Sequence, residues 1–387
     1  MTSRERLQAA LDHRTPDRVP LDFGSTNVST IHLAAYQKLL KDLSIEDHEI
    51  RMMDRAQQLV IPCEKTLRRF DVDTRGVRLA HSPVSHAVIH SEDEFTDDWG
   101  LRWKRPVGGL YFDTVNKPLA KAVTIQEISD YPWPDISSLA SAEGVEETAA
   151  RLYHQTEYGI VGSFGSSIYM RAQLMRGYEE LFLDMAAEPE MAEALLDRIL
   201  DIRLKLAEML LDAAGSFLDV VEMADDLAGQ DGPLLSLELY RRIIRPRTKI
   251  LVDFIKSHSK ARIMYHCCGS VVEFIEDFID MGIDILNPVQ VSARGMDSAV
   301  LKAAYGDRIV FWGGIDAQRV LPGGTVEDVR RETRKRLEEF GPGGGYVAFA
   351  SHNLQADVPP ENITAMFDEI RSSRNEAACG RPKEDEG

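Results

Sequence analysis

The chain has 387 residues, with 45 Lys and Arg against 63 Asp and Glu, a formal net charge of −18 that disfavours nucleic acid and anionic lipid as partners. The opening MTSRERLQAALDHRTPDR is charged and lacks the apolar core of a leader, and no run of about 18 apolar residues occurs, so a cytoplasmic protein without membrane contact is expected. Four cysteines, Cys63, Cys267, Cys268 and Cys379, are too few for a disulfide framework in a chain of this length.

Ser3 to His13 reads as an amphipathic helix that stops at Thr15-Pro16, and Arg18 to Gly24 as a first strand closed by glycine, with Asp22 near its end. A helix is expected from Ile31 to Leu43 and a second from Asp54 to Phe70, where Cys63 is assigned to packing. DTRGVRLA then offers a second strand. Between 81 and 135 the pattern changes to alternation around Gly108-Gly109, which predicts a β-hairpin insertion over one end of the main domain. The Pro-broken linker YPWPD follows, then a helix from Val145 to Tyr158.

From there apolar strand candidates alternate with amphipathic helices: 158–166, 217–226, 261–269, 283–290, 308–316 and 345–351. With the two earlier candidates they make eight, the pattern of an α/β, (β/α)8 TIM barrel occupying residues 1–372 as one domain. The polar, charged tail 373–387, which holds Cys379, is expected to be disordered. Such barrels collect chemistry at the C-terminal ends of their strands. Those ends carry Asp22, Ser163, Glu222, Asp225, Asp226, His266, Cys268, Asn287, Gln290, Asp316, Ser351 and His352, an acid-rich rim. Single members have structural readings: Asp316 can cap the next helix, and Asp225 or Asp226 can close a loop through backbone N–H groups.

The stretch ARIMYHCCGS, 261–270, ends a buried strand in His266-Cys267-Cys268. Strand alternation sends His266 and Cys268 to one side and Cys267 to the other. Imidazole with thiolate suits zinc, yet a core histidine beside two buried cysteines satisfies the same pattern, and two ligands do not make a site.

Several stretches together, RERLQAALDHRTPDRVPLDFG, ADDLAGQDGPLLSLELYRRIIRP, YHCCGSVVEFIEDFIDMGIDILNPVQ, VFWGGID and HNLQADVPPENI, resemble the uroporphyrinogen decarboxylase superfamily, and more closely its cobalamin-linked methyltransferase branch. The resemblance implies a (β/α)8 barrel. The decarboxylases carry an Arg-rich RQAGRY loop after the first strand and a GHG segment near the last. Here those places read GSTNVSTIH and Gln355-Ala356-Asp357, and an acidic mouth lacking those cations is expected to bind a polycarboxylate poorly. The methyltransferase branch holds zinc on a His-x-Cys pair and a later Cys. His266 and Cys268 match the pair; the later Cys is absent, so His352 is expected to stand in, with Glu222 or Asp226 as alternatives.

The resemblance thus implies Zn2+ on His266, Cys268 and His352, with Asp226, Glu222 and Asp22 as catalytic groups and Gln230, Asn287, Gln290, Ser163 and Asp316 around the substrate. A methyl group would pass between a small thiol or methyl ether and cobalamin. No corrinoid-binding Asp-x-His-x-x-Gly segment occurs, so the cobalamin would come free or on a partner corrinoid protein, with Trp99 to Tyr111 as a candidate lid. The family includes homodimers. Two alternatives stand beside this: a metal-free decarboxylase or lyase using Asp22 or Asp226, and a non-catalytic barrel that binds a corrinoid or other tetrapyrrole.

Overall fold

A computed structural model describes residues 1–47 and 49–373. The tail from 374, with Cys379 and the disorder expected for it, lies outside the described residues. The centre is a seven-stranded sheet whose mapped neighbours all run parallel. In chain order its strands are Thr74–Arg78, Gly159–Ser163, Val220–Ala224, Arg262–His266, Ile285–Asn287, Val310–Ile315 and Tyr346–Ala350, and sequence neighbours are also spatial neighbours. Helices cover the outer face, the longest being Pro189–Ala214.

Alternate strand residues meet on the inner face. Val161, Val220, Met264, Ile285, Val310, Trp312 and Val347 pack there as one apolar cluster, which Leu7 and Leu11 of the helix Ser3–Leu11 close from below. Glu222 follows Val220 at the strand period and His266 follows Met264, so both continue the inner face at the opposite, C-terminal end. Parallel register sets Ala224, His266 and Asn287 side by side on three neighbouring strands.

The eighth expected strand, Arg18 to Gly24, is not regular: it forms isolated bridges, that of Leu21 running parallel to Ala348. Pro20 has no N–H to give, and Leu21 donates its N–H to a carboxylate oxygen of Asp73 at 2.8 Å. The segment still lies against both edges of the sheet, through Ala348 N to Pro20 O (2.8 Å) and Asp73 N to Leu21 O (2.9 Å). Asp73 is fully buried and also receives Arg6 and Arg18, each at 2.6 Å.

The helix expected from Asp54 to Phe70 is mostly absent. Arg51–Asp54 and Leu59–Ile61 pair antiparallel, and Ile31–His32 extends them to three strands. Gln58 takes a left-handed φ of 54°, Pro62 follows the second strand, and only Glu64–Arg69 is helical. Paired β-branched residues in Leu59-Val60-Ile61 outweigh the helical spacing read there. Residues 88–114 hold a four-stranded antiparallel sheet, Val88–Ser91, Glu94–Thr96, Arg102–Lys104 and Asp113–Thr114. No described helix is long and apolar enough to cross a membrane.

Candidate metal centre

A cavity of about 700 Å³ opens at the C-terminal end of the sheet, with Glu222, Asp226, His266 and His352 on one part of its wall and Phe95, Trp103, Tyr111 and Phe112 of the insertion on another. At its wall Asp226 and His266 meet Cys268, and one ligand atom from each of the three lies within 4.8 Å of the others. His266 Nε2 stands 3.3 Å from Cys268 Sγ. An Asp226 carboxylate oxygen accepts the Cys268 N–H at 2.8 Å.

Gly269 makes this meeting possible. Its φ is 90°, and a Cβ there would lie 2.6 Å from the Gly229 carbonyl and 2.7 Å from that of Ala228. The loop after His266 can therefore close on the loop that carries Asp226. Cys267 points away, fully buried, and accepts the Leu227 N–H at 3.3 Å.

On the other side of the imidazole, His266 Nδ1 donates to Asn287 Oδ1 at 2.6 Å, while Asn287 Nδ2 donates to the Trp312 carbonyl. A carbonyl only accepts, so the amide orientation is determined, Nδ1 carries the proton, and the Nε2 lone pair faces Cys268. Burial lowers the His266 pKa against the opposing pull of Asp226, which keeps the ring neutral. Burial, then the Asp226 charge, raises the Cys268 thiol well above its ordinary range. A neutral imidazole, a carboxylate and a thiol at this spacing fit a divalent cation of zinc's preferences, which would also reverse the thiol's preference for its proton.

His352 is not in this group, contrary to the expectation that it replaces the missing cysteine. Its ring centroid lies 6.4 Å from that of His266, and its Nδ1 accepts from Gln355 Nε2 at 3.1 Å. Gln355 in turn accepts the Tyr111 hydroxyl, so His352 is linked to the insertion. Burial, then the neighbouring His266, lowers the His352 pKa to about 4. Glu222 does reach the cavity, only 2 % exposed and with no hydrogen bond from its carboxyl to any described residue, and burial alone pushes its pKa up to about 7.

The other expected site residues are placed differently. Asp22 is fully buried, bonded to Thr74 and to the Trp312 indole, and does not line the cavity. Ser163 also lies off its wall, where Ser166 and Ser167 stand instead. Asp316 accepts from the backbone of Gln318 and Arg319, so it closes the turn before the next helix, whose cap position is Arg319. Gln290 accepts from Gly269 N and donates to Gln230, which donates to the Ser292 carbonyl. These two glutamines tie loops together behind Cys268 and do not line the cavity. Asp225 accepts the backbone N–H groups of Ile168, Tyr169 and Met170 at the start of the helix Tyr169–Arg176.

The cavity does carry cations, from places other than the loop compared with RQAGRY. Arg55, Arg171 and Arg203 line the cavity, none of them from the loop after the first strand. Arg203 had a readable signal, for it interrupts the stripe Ile199, Leu206, Leu210 on the buried face of its helix.

A family profile described as Uroporphyrinogen decarboxylase (URO-D) matches residues 110–373, more than half of the chain. The chain belongs to the uroporphyrinogen decarboxylase family. Among relatives of this URO-D member, the uroporphyrinogen decarboxylase of Psychromonas ingrahamii is 27 % identical over 326 residues, 80 % of this chain and 82 % of its own. The methylcobamide:CoM methyltransferase MtbA of Methanosarcina mazei is 26 % identical over 221 residues, 56 % of this chain and 59 % of its own. A solved methyltransferase structure from Methanosarcina mazei superposes with a TM-score of 0.65, covering 96 % of this chain and 98 % of that one at 16 % identity, a likeness of fold.

Proposed function

We propose that this URO-D member is a zinc-dependent methyltransferase that moves a methyl group between a small substrate in the cavity and a corrinoid carried by a separate protein. The observation that carries this reading is the Asp226, His266 and Cys268 donor set, of which Asp226 and His266 line the cavity. Thiolate with imidazole favours zinc, and zinc can activate a thiol or an ether heteroatom for methyl transfer. The MtbA relative, named for methyl transfer from a cobamide, supports it.

Zinc held by Asp226, His266 and Cys268 would supply Lewis acidity toward the thiol or ether heteroatom at the methyl group. The protein's own groups do the rest. Asn287 holds the His266 proton on Nδ1 and so keeps Nε2 free. Glu222, protonated up to near neutral pH, is placed to give a proton to a demethylated heteroatom or to take one from an acceptor thiol. Phe95, Trp103 and Phe112 exclude water from one side. In this reading the seven strands and the segment Pro20 to Asp22 together form the closed (β/α)8 barrel, with the corrinoid approaching its mouth.

The test is twofold. Protein purified without a His tag or added metal should contain about one zinc per chain, and it should exchange methyl groups with cobalamin, followed by the change between the cob(I)alamin and methylcobalamin spectra. Activity on a carboxylic acid that survives chelation, in a protein without zinc, would overturn it. That result would establish a metal-free carboxy-lyase, the reading favoured by the cavity arginines and the decarboxylase relatives.

A further inference from the structure

Arg171 and Arg203 stand on the cavity wall from two different helices, and both guanidiniums lie against one indole, Trp99, at 4.7 and 4.9 Å from its ring centroid. Trp99 is 4 % exposed and is positioned by Asp97, which accepts the backbone N–H of Trp99 and Leu101 and the Trp103 indole N–H. The Arg171 guanidinium makes no hydrogen bond to any described residue. Its Nε and Nη1 are buried without a hydrogen-bond partner, and Nη1 meets Asp97 only as an ion pair at 3.7 Å. Arg203 is 4 % exposed and spends only its Nε–H, on the Ser167 carbonyl at 2.8 Å. Burial, then the charge of Arg171, lowers the Arg203 pKa to about 9, so the two cations repel each other across Trp99.

Two desolvated guanidiniums with most of their donors unused are costly to keep for packing alone. Holding Trp99 requires their faces and leaves their edges free. Neither hydrogen-bonds or ion-pairs with Asp226, His266 or Cys268, so their charge is separate from the candidate metal centre. Phe95, Trp103, Tyr111 and Phe112 of the insertion add flat aromatic surface to the same cavity.

We propose that Arg171 and Arg203 form an oxyanion subsite that takes the carboxylate of an aromatic substrate, whose ring packs on the insertion. The subsite deepens the methyltransferase reading by naming its substrate class, an aryl carboxylate bearing the transferable group, and rests on that reading only for the reaction itself. It recognises charge with two arginines supplied by the helices Tyr169–Arg176 and Pro189–Ala214.

The test uses benzoate as probe, with benzamide as its neutral counterpart and inorganic phosphate as an anion without a ring, titrated into the full chain at constant ionic strength and followed by tryptophan fluorescence. Wild type should bind benzoate saturably and about tenfold or more tighter than benzamide. Arg171→Gln and Arg203→Gln should each lose about tenfold for benzoate, leave benzamide nearly unchanged and keep wild-type zinc content. Equal binding of benzoate and benzamide, or no saturable benzoate binding, would overturn the proposal from wild type alone, even if a variant fails to fold. Phosphate binding as tight as benzoate would overturn the aryl carboxylate assignment. Zinc content and cobalamin exchange are measured separately, so a failed subsite and a failed methyltransferase reading give different results.

Discussion

Asn287 Oδ1 accepts the His266 Nδ1 proton at 2.6 Å because parallel register places these two residues opposite each other on adjacent strands. The bond selects the tautomer that turns the Nε2 lone pair to Cys268. Asn287→Ala should therefore weaken zinc binding by about 10- to 100-fold without removing a ligand. Competition against a chelator of known affinity measures this, and unchanged affinity would show that the tautomer is determined elsewhere.

Asp226, not His352, is the third member of the donor group. Asp226→Asn, His266→Ala and Cys268→Ala should each lose most of the bound zinc, while His352→Ala retains it, as read by elemental analysis after dialysis. Zinc lost in His352→Ala but kept in Asp226→Asn would restore the histidine as ligand.

Glu222 makes metal-free stability depend on pH. Its pKa is pushed up to about 7 in the fold from the ordinary glutamate value of 4.5. Between those values the folded chain keeps a proton that the unfolded chain has released. The stabilisation is fully present below pH 4.5, is lost as pH rises through 7, and totals up to about 3 kcal/mol. Glu222→Gln should remove this slope, leaving the metal-free variant more stable than wild type at pH 8 and close to it at pH 4.5. Urea unfolding at the two pH values reads the difference, and parallel pH profiles for the two proteins would count against it.

Asp73 closes the N-terminal segment onto the sheet by receiving Arg6, Arg18 and the Leu21 N–H. Asp73→Ala leaves two nearly buried guanidiniums without that partner and should cost about 3–5 kcal/mol. Arg6 keeps Asp17 and Arg18 keeps Asp71, so the loss should fall toward the lower figure. Denaturant titration of the variant gives the value, and a loss under 1 kcal/mol, about the worth of an exposed pair, would show that the segment is held by other contacts.

Short-range periodicity made much of this protein readable before any contact was known. The period of two in Arg262–His266 put His266 and Cys268 on one side and Cys267 on the other, and alternating strands and helices pointed to a parallel α/β sheet with His266, Glu222 and Asn287 near one end. These follow from the pleat, which is local. The same reading failed over Asp54 to Phe70, because a three-residue apolar run is compatible with helix or strand until its partner, Arg51–Asp54, is known.

Contacts between distant loops were decided only by the tertiary structure. Asp226 joins His266 and Cys268, 40 and 42 positions further along, because Gly269 lets two loops pass at a distance no side chain allows. Arg171, Arg203 and Trp99 converge from two helices and an insertion, and no spacing along one chain encodes which buried charges will face the same cavity. Residue types and strand period named the chemistry available at the C-terminal end of the sheet; the approach of loops far apart in sequence chose which of those groups meet.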